Sequence, residues 1–96
     1  MAIGEILRFS GTSIVKYDAV QKELGWEDDG TGAPDGLIAH AAGATDDGFC
    51  VVDQWQSAAD WDTFFSQRLM PAFQKVGEIP QPDVTRFDVH RSYIAE

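Results

Sequence analysis

Cysteine and basic residues are scarce in this chain. Cys50 is the single cysteine among 96 residues, so a disulfide bond within the chain is excluded. Cys50 lies in an apolar stretch, where a small buried side chain is expected rather than a reactive thiol. Seven Lys and Arg stand against sixteen Asp and Glu, for a net charge of −9. Because such a surface repels phosphate groups, we expect no binding to nucleic acid or to an anionic membrane.

Long apolar runs and several familiar motifs are also absent. No apolar run approaches the ~20 residues of a membrane span, and the first residues lack the basic segment of a signal peptide. A cytoplasmic protein is therefore expected. The sequence has no G-x-S-x-G, no glycine-rich phosphate loop before a helix and no C-x-x-C. Hydrolase, nucleotide-binding and zinc-ribbon functions thus have no support, and neither a cofactor nor a metal site is predicted.

Apolar periodicity predicts one domain, residues 1–96, with elements in the order β-α-β-β-α-β. The predicted strands are 2–10, 36–45, 49–56 and 84–93, and the predicted helices are 14–24 and 58–75. Pro71 removes a backbone donor, so a kink or break is expected near Met70. Glu5 and Arg8 are predicted to be strand charges near an edge or a dimer seam. The order is that of a ferredoxin-like α+β fold with a four-stranded antiparallel sheet, both helices covering one face.

The centre of the chain has the pattern of a β-hairpin. Two apolar runs flank Thr45–Gly48, where short polar side chains and a glycine expected at positive φ favour a turn. A connection centred on this turn places His40 opposite Asp53. A two-residue shift of the pairing places His40 opposite Trp55 instead, so both registers stay open.

Alternation along the hairpin gives two unlike faces. One face is small and mostly apolar, with Leu37, Ala39, Ala41, Cys50, Val52 and Gln54. The other is large and hydrophobic yet holds a histidine and a carboxylate: Ile38, His40, Ala42, Phe49, Val51, Asp53 and Trp55. A buried charge is costly unless it is paired. We therefore predict that the small face receives the helices. The large face should bound a semi-enclosed cavity that a second copy of the chain covers.

Five parts of the chain resemble a known superfamily. They are Tyr17–Val20, Pro34–His40, Val52–Ser57, Trp61–Phe65 with Leu69–Pro71, and Phe87–His90. On these segments nearly the whole chain resembles the dimeric α/β-barrel superfamily, within it the small antibiotic-biosynthesis-monooxygenase-like bacterial proteins. The resemblance implies two sheets packed face to face across a homodimer, with a pocket bounded by sheet and helices. Members include cofactor-independent quinone-forming oxygenases, haem-degrading oxygenases, muconolactone-type isomerases and proteins with no known reaction.

Haem degradation is the one of these activities that the residues argue against. The haem-degrading members use an asparagine on the first strand, a tryptophan on a strand and a histidine on the second helix. Trp55 could match the tryptophan. The predicted first strand has no asparagine, however, and the predicted second helix has no histidine.

His40 is the sharpest candidate for chemistry. A neutral imidazole takes or gives a proton near neutral pH, and Asp53 could orient it across the hairpin. In an oxygenase such a base would ionise a phenol or hydroquinone held between aromatic walls. The candidate ligand-contacting residues are Ile38, Phe49, Val51, Trp55, Trp61, Phe65 and Tyr17. His90, near the end of the last predicted strand, is a weaker candidate.

Two functions remain open. The first is a homodimer with a mostly apolar pocket for a small aromatic or polyketide-like molecule, acting as a cofactor-independent monooxygenase. In this function His40 is the acid/base, Asp53 orients the His40 ring, and Trp55 forms a wall of the pocket. The second is a ligand-binding or structural protein without turnover, in which His40 and Asp53 satisfy each other or a dimer contact.

Overall fold

The computed structural model describes residues 1–95. Its elements are β1 (Ile3–Ser10), α1 (Ile14–Leu24), β2 (Leu37–Ala44), β3 (Gly48–Trp55), α2 (Ala58–Phe64), a π-helical turn (Phe65–Leu69), α3 (Met70–Val76) and β4 (Asp83–Asp88). No helix within this part of the chain is long and apolar enough to cross a membrane.

The strands form one four-stranded sheet in the order β2-β3-β1-β4, with every neighbouring pair antiparallel. This is the ferredoxin-like α+β fold predicted from the order of the elements. The last strand is shorter than the predicted 84–93. β4 lies at the edge of the sheet and pairs with β1, whose first residue, Ile3, lies opposite Asp88. One more backbone hydrogen bond follows, from the Val89 N–H to the Ala2 carbonyl at 2.9 Å, and the residues after Val89 leave the sheet.

The hairpin takes the first of the two predicted registers. His40 lies directly opposite Asp53 across β2 and β3. The turn lies where it was expected, but Gly48 does not have the positive φ that was expected of it. A Cβ on Gly48 would clash with the carbonyl oxygen of Phe9, so the close approach of β1 requires the glycine.

The break predicted near Met70 takes the form of a π-helical turn. Pro71 has no N–H to donate, and its ring crowds the preceding turn. Over Phe65–Leu69 the backbone widens, and the Met70 N–H donates to the Phe65 carbonyl, five residues earlier. α3 then begins at Met70, so the proline lies in a first turn, where a missing N–H costs little. Turns of this kind are rare and often lie at functional sites.

The helices cover the large face of the sheet, so the predicted assignment of the two faces is wrong. The buried core combines strand and helix residues: Ile3, Leu7, Phe9, Phe49, Val51, Trp55, Trp61 and Phe64. The space between helices and sheet must be filled at high density. Aromatic and branched side chains fill it, whereas the alanines and the cysteine of the small face would leave it hollow.

The small face has no covering layer among residues 1–95. Val52 of β3 is 47% exposed and Phe87 of β4 is 49% exposed, and Cys50 is half-buried beside them. The segment after β4 reaches this face, since Ser92 Oγ donates to Gln54 Oε1 at 2.9 Å. The face is therefore apolar and largely open.

Candidate functional site

His40 and Asp53 form a close pair on the helix-covered face of the sheet. His40 Nδ1 and Asp53 Oδ1 are 2.6 Å apart. The His40 side chain is 17% exposed and that of Asp53 is 6% exposed. The two residues that the hairpin pattern brought together as acid/base and orienter are thus in direct contact, but under the helices rather than under a partner subunit.

Tyr17, on α1, holds the other ring nitrogen of His40. Its hydroxyl oxygen lies 2.6 Å from His40 Nε2, and the two rings stack with an interplanar angle of 12°. An ionised Asp53 can only accept hydrogen bonds, so Nδ1 carries the hydrogen and donates it. In a neutral imidazole Nε2 is then the acceptor, and the Tyr17 O–H donates to it. Hydroxyl, imidazole and carboxylate are linked end to end.

The Tyr17 hydroxyl is protonated at neutral pH. Burial raises the pKa of Tyr17 to about 12, and the negative charges of Asp53, Asp18 and Asp28 add to the effect. Because His40 Nε2 is already hydrogen-bonded to Tyr17, a ligand hydroxyl would bind the Tyr17 oxygen rather than the imidazole itself. That oxygen can accept a proton from a ligand while its own hydrogen moves to His40.

Alkaline unfolding is expected to report the raised pKa of Tyr17. The folded pKa of about 12 lies above the usual tyrosine value of 10.0, so the folded chain keeps a proton that the unfolded chain loses. This stabilisation is complete below the unfolded pKa and is lost as the pH rises through the folded one. In Tyr17→Phe, the free energy of unfolding should fall less steeply with pH in that window than in the wild type, as measured by urea titration.

Tyr93→Phe is the matched control for this experiment, since the Tyr93 side chain is 86% exposed. It should follow the wild-type pH dependence. Parallel curves for the wild type and Tyr17→Phe across the alkaline window would contradict the raised pKa of the half-buried Tyr17.

An apolar cavity lies beside these three residues, between the sheet and the helices. Its volume is about 40 Å³. Its apolar lining includes Leu7, Phe9, Val20, Phe49, Val51 and Leu69. A space of this size is large enough only for water-sized molecules, whereas pockets for small ligands usually enclose ~300–1,000 Å³. A ring-sized ligand therefore requires the surrounding elements to move apart.

The acidic loop after α1 is tied to the π-helical turn at the rim of this cavity. Trp26 of the loop packs on His40, with ring centroids 4.5 Å apart. Arg68 of the π-helical turn donates to the carbonyls of Leu24 and Gly32 at 3.1 and 2.8 Å. Its guanidinium also lies over the Phe64 ring, 5.6 Å from the centroid. Loop and turn are thus joined through one side chain.

A second polar pair, Glu5 and Arg86, lies further along the same face. Glu5 is opposite Asp53 on one side and opposite Arg86 on the other. Its Oε2 accepts hydrogen bonds from Arg86 Nε at 3.0 Å and Nη2 at 2.8 Å. Its Oε1 has no hydrogen-bond partner in the part of the chain that the structure describes. The prediction that Glu5 lies near an edge or a seam is wrong, because β1 is an inner strand and the side chain is fully buried.

Burial has the largest effect on the pKa of the Glu5 carboxyl. It raises the pKa of the Glu5 carboxyl above its usual value of 4.5, against the lowering effect of Arg86. The negative charges of Asp53 and Asp62 raise it further. The sequence gives one signal for this pair: Glu5 alternates with the apolar residues Ile3 and Leu7 on one face of β1, and a ferredoxin-like sheet makes β1 and β4 neighbours.

The predicted site residues divide between the cavity and other places. Those that line the cavity are Tyr17, His40, Phe49, Val51, Asp53 and Trp61. Phe65 lines a second cavity beside Glu5. Trp55 lines neither cavity, because α2 packs directly over it and leaves it fully buried. Ile38 is 37% exposed beside a register shift in β2, and His90 is exposed beyond the end of β4.

Comparison with known proteins gives matches among solved structures. No family model matches the chain, and no curated protein sequence matches it. SnoaB, a cofactor-independent oxygenase from Streptomyces nogalater, superposes with a TM-score of 0.68 at 10% identity, covering 95% of each chain. Rv0793 from Mycobacterium tuberculosis gives 0.66 at 18% identity, over 96% of this chain and 98% of that one. ActVA-Orf6, a monooxygenase from Streptomyces coelicolor in complex with nanaomycin D, gives 0.57 at 16%, over 99% and 92%.

At such low sequence identities, matches that cover nearly the whole chain show a shared fold. The matching chains are similar to this one from end to end, so the likeness involves every strand and helix rather than one motif. The chain therefore has the same ferredoxin-like fold as these solved structures, as the order of its elements predicts.

Proposed function

We propose that this protein binds a small hydroxylated aromatic molecule and that Tyr17, His40 and Asp53 remove the proton of its hydroxyl group. The observation that carries this proposal is the continuous hydrogen-bond chain from Tyr17 through His40 to Asp53. This hydrogen-bond chain borders a mostly apolar cavity. The proposed reaction is monooxygenation by O₂ without a cofactor. SnoaB is described as a cofactor-independent oxygenase, and ActVA-Orf6 as a monooxygenase that holds nanaomycin D.

Proton removal uses the two hydrogen bonds in sequence. The ligand hydroxyl gives its proton to the Tyr17 oxygen while the Tyr17 hydrogen moves to His40 Nε2. His40 becomes an imidazolium, and Asp53 at Nδ1 stabilises the new positive charge. Tyr17 ends as a neutral phenol, so the pKa of about 12 does not oppose the transfer. The apolar walls keep water away, which strengthens these interactions.

The ionised ring would then supply the electrons for O₂. A phenolate is more electron-rich than the phenol, so removal of the proton favours electron transfer to oxygen. In the overall reaction the phenol becomes a quinone, one oxygen atom enters the ring and the other leaves as water. The substrate provides all four electrons that O₂ accepts, so neither flavin nor metal is needed for the balance.

Bound hydroxyaromatics should therefore ionise at a pH where they are neutral in water. The probe is 2-naphthol, whose naphtholate has its own absorption band. We expect this band on binding at a pH about two units below the pKa of free naphthol. Tyr17→Phe should bind naphthol but leave it neutral, while Tyr93→Phe should behave as the wild type. Neutral naphthol on the wild-type protein would refute the proposed proton transfer.

We also propose that two copies of the chain associate through the small face of the sheet. Val52 and Phe87 are about half exposed there, and contiguous exposed apolar surface commonly marks an interface. A chain of 96 residues buries only part of its surface on its own. The superfamily resemblance implies the same face-to-face arrangement of two sheets.

Val52→Glu is expected to convert a dimer into a monomer. A carboxylate at the centre of an apolar interface would be buried without a partner, which costs several kcal/mol and weakens association by at least about 100-fold. Size-exclusion chromatography with light scattering measures the mass. Val15→Glu is the matched control, because Val15 on α1 is 70% exposed. A Val52→Glu protein that remains dimeric would place the interface elsewhere.

A non-catalytic ligand-binding role has one observation in its favour. Both ring nitrogens of His40 are satisfied within the chain, as in a histidine that only stabilises a fold. The same naphthol experiment separates the two functions. If His40 only contributes to ligand binding or to the stability of the fold, bound naphthol stays neutral.

A further inference from the structure

We propose that the cavity beside His40 and the second cavity beside Glu5 together form one elongated binding site, in which Glu5 recognises a hydroxyl group at the far end of the ligand. Arg86 is its positioning partner. The inference rests on the proposed function for one end of the ligand only, the hydroxyl group at Tyr17. The far end is argued from residues that take no part in the proposed proton transfer.

The two cavities share a wall. Leu7, Trp61, Leu69 and Phe73 line both of them. Leu69 is the last residue of the π-helical turn, the segment whose hydrogen bonding is already irregular. Outward movement of this turn removes part of the wall and connects the two spaces.

Neither cavity is large enough alone for a typical ligand. The first encloses about 40 Å³ and the second about 270 Å³. Connected, they approach the lower end of the ~300–1,000 Å³ range of small-molecule pockets. Residues of β1, β2 and β3 line the first cavity and residues of β1 and β4 line the second, so the connected space extends across the sheet.

Polar side chains cross the sheet beside this space in a row, whereas the wall that the two cavities share is apolar. His40, Asp53, Glu5 and Arg86 are successive neighbours across the four strands. Two strand spacings of ~4.8 Å separate His40 from Glu5, which gives roughly 10 Å. This favours a flat, fused-ring molecule with a polar substituent at each end.

The hydrogen bonding of Glu5 indicates which substituent the ligand carries at the end near Glu5. The side chain is fully buried, lines the second cavity and has Oε2 bound to Arg86. Oε1 has no partner among residues 1–95, and a buried polar atom without one is unfavourable. A ligand hydroxyl can donate to a carboxylate and accept from a carboxylic acid, so it satisfies Oε1 in either form. A ligand carboxylate would face the negative charges of Glu5 and Asp53 and should be rejected.

Calorimetric titration with three naphthalenes tests the far end. Wild-type protein should bind 2,6-dihydroxynaphthalene at least about tenfold more tightly than 2-naphthol, the gain of one hydrogen bond to a charged group. It should bind 6-hydroxy-2-naphthoate more weakly than 2-naphthol. Equal affinity for 2-naphthol and 2,6-dihydroxynaphthalene, or tight binding of the naphthoate, overturns the proposal.

Glu5→Gln reverses the expected selectivity. Arg86 only donates, so the glutamine oxygen faces Arg86 and its NH₂ group takes the place of Oε1. The variant should bind 6-hydroxy-2-naphthoate at least about tenfold more tightly than the wild type does, because a negative charge is lost and a donor gained. Asp83→Asn, an exposed carboxyl-to-amide change on β4, is the control and should leave all three affinities unchanged. An unchanged naphthoate affinity in Glu5→Gln overturns the role of Glu5.

The outcomes separate this inference from the proposed function. If 2-naphthol binds and ionises through Tyr17 but a second hydroxyl adds nothing, only the far-end site is wrong. If no naphthalene binds at all, both proposals are wrong. Should Glu5→Gln fail to fold, the wild-type affinities for the three compounds still decide the question.

Discussion

Replacing His40 by alanine is expected to lower kcat for the oxygenation of a hydroxylated aromatic by about 10²–10⁴-fold, the usual contribution of a positioned general base. In this variant the Tyr17 hydrogen has no acceptor. Tyr17 cannot act alone, because burial and three nearby carboxylates hold its pKa at about 12. The residual activity should increase with pH, since the ligand then ionises in solution. The measurement is the pH dependence of kcat and kcat/KM with the ligand that the binding experiments identify.

His40→Gln separates the chemical from the structural contribution of this residue. A glutamine amide can accept from Tyr17 and donate to Asp53, but it cannot carry a proton between them. Alanine instead leaves two buried polar groups unpaired, at about 1–3 kcal/mol each. Loss of activity in both variants, with better thermal stability in the glutamine one, is the expected result. Turnover that survives both changes with an unaltered pH profile would show that His40 is not the acid/base.

The fold was predictable because each element has its own local signal. Strand-like alternation, the Thr45–Gly48 turn and the helical spacing from Trp61 onward each require only short-range rules. Pro71 marked the break in the second helix, although not that a π-helical turn would absorb it. Counting residues outward from the turn left two possible partners for His40, namely Asp53 and Trp55, and the structure has the first.

The face that receives the helices was not predictable from the hairpin alone. Alternation tells which residues share a face, but not which face is covered. The large face looked unfit for helices because it holds His40 and Asp53. These two polar residues can lie under the helices because Tyr17 of α1 forms a hydrogen bond with the remaining ring nitrogen of His40. A buried polar group is tolerated where a distant residue completes its hydrogen bonds, and no local pattern reports that residue.

Arg86→Met is expected to destabilise the fold in a strongly pH-dependent way. Glu5 is fully buried, and Arg86 supplies both hydrogen bonds of its Oε2. Loss of a buried ion-pair partner costs about 3–5 kcal/mol. Because the Arg86 side chain is 40% exposed, we expect a smaller loss, about 2–3 kcal/mol at neutral pH. Urea unfolding monitored by circular dichroism gives the free energy at each pH.

The pH dependence follows from the direction of the pKa shift. Burial raises the pKa of Glu5 even beside Arg86, and removal of Arg86 takes away the two influences that lower it. A carboxyl with a raised folded pKa contributes stability that is complete below its unfolded pKa and is lost as the pH rises through the folded one. The difference between wild type and Arg86→Met should therefore be small near pH ~4 and grow toward neutrality.

Two further variants show whether the loss belongs to the Glu5–Arg86 pair. Arg8→Met removes an exposed arginine from the opposite side of β1 and should cost less than about 0.5 kcal/mol at every pH. Adding Glu5→Gln to Arg86→Met removes the buried charge itself, so the double variant should lose most of the pH dependence and recover part of the stability. A constant loss in Arg86→Met from acid to neutral pH would mean that Arg86 stabilises the sheet through packing. The buried carboxyl of Glu5 would then be stabilised by something other than its ion pair.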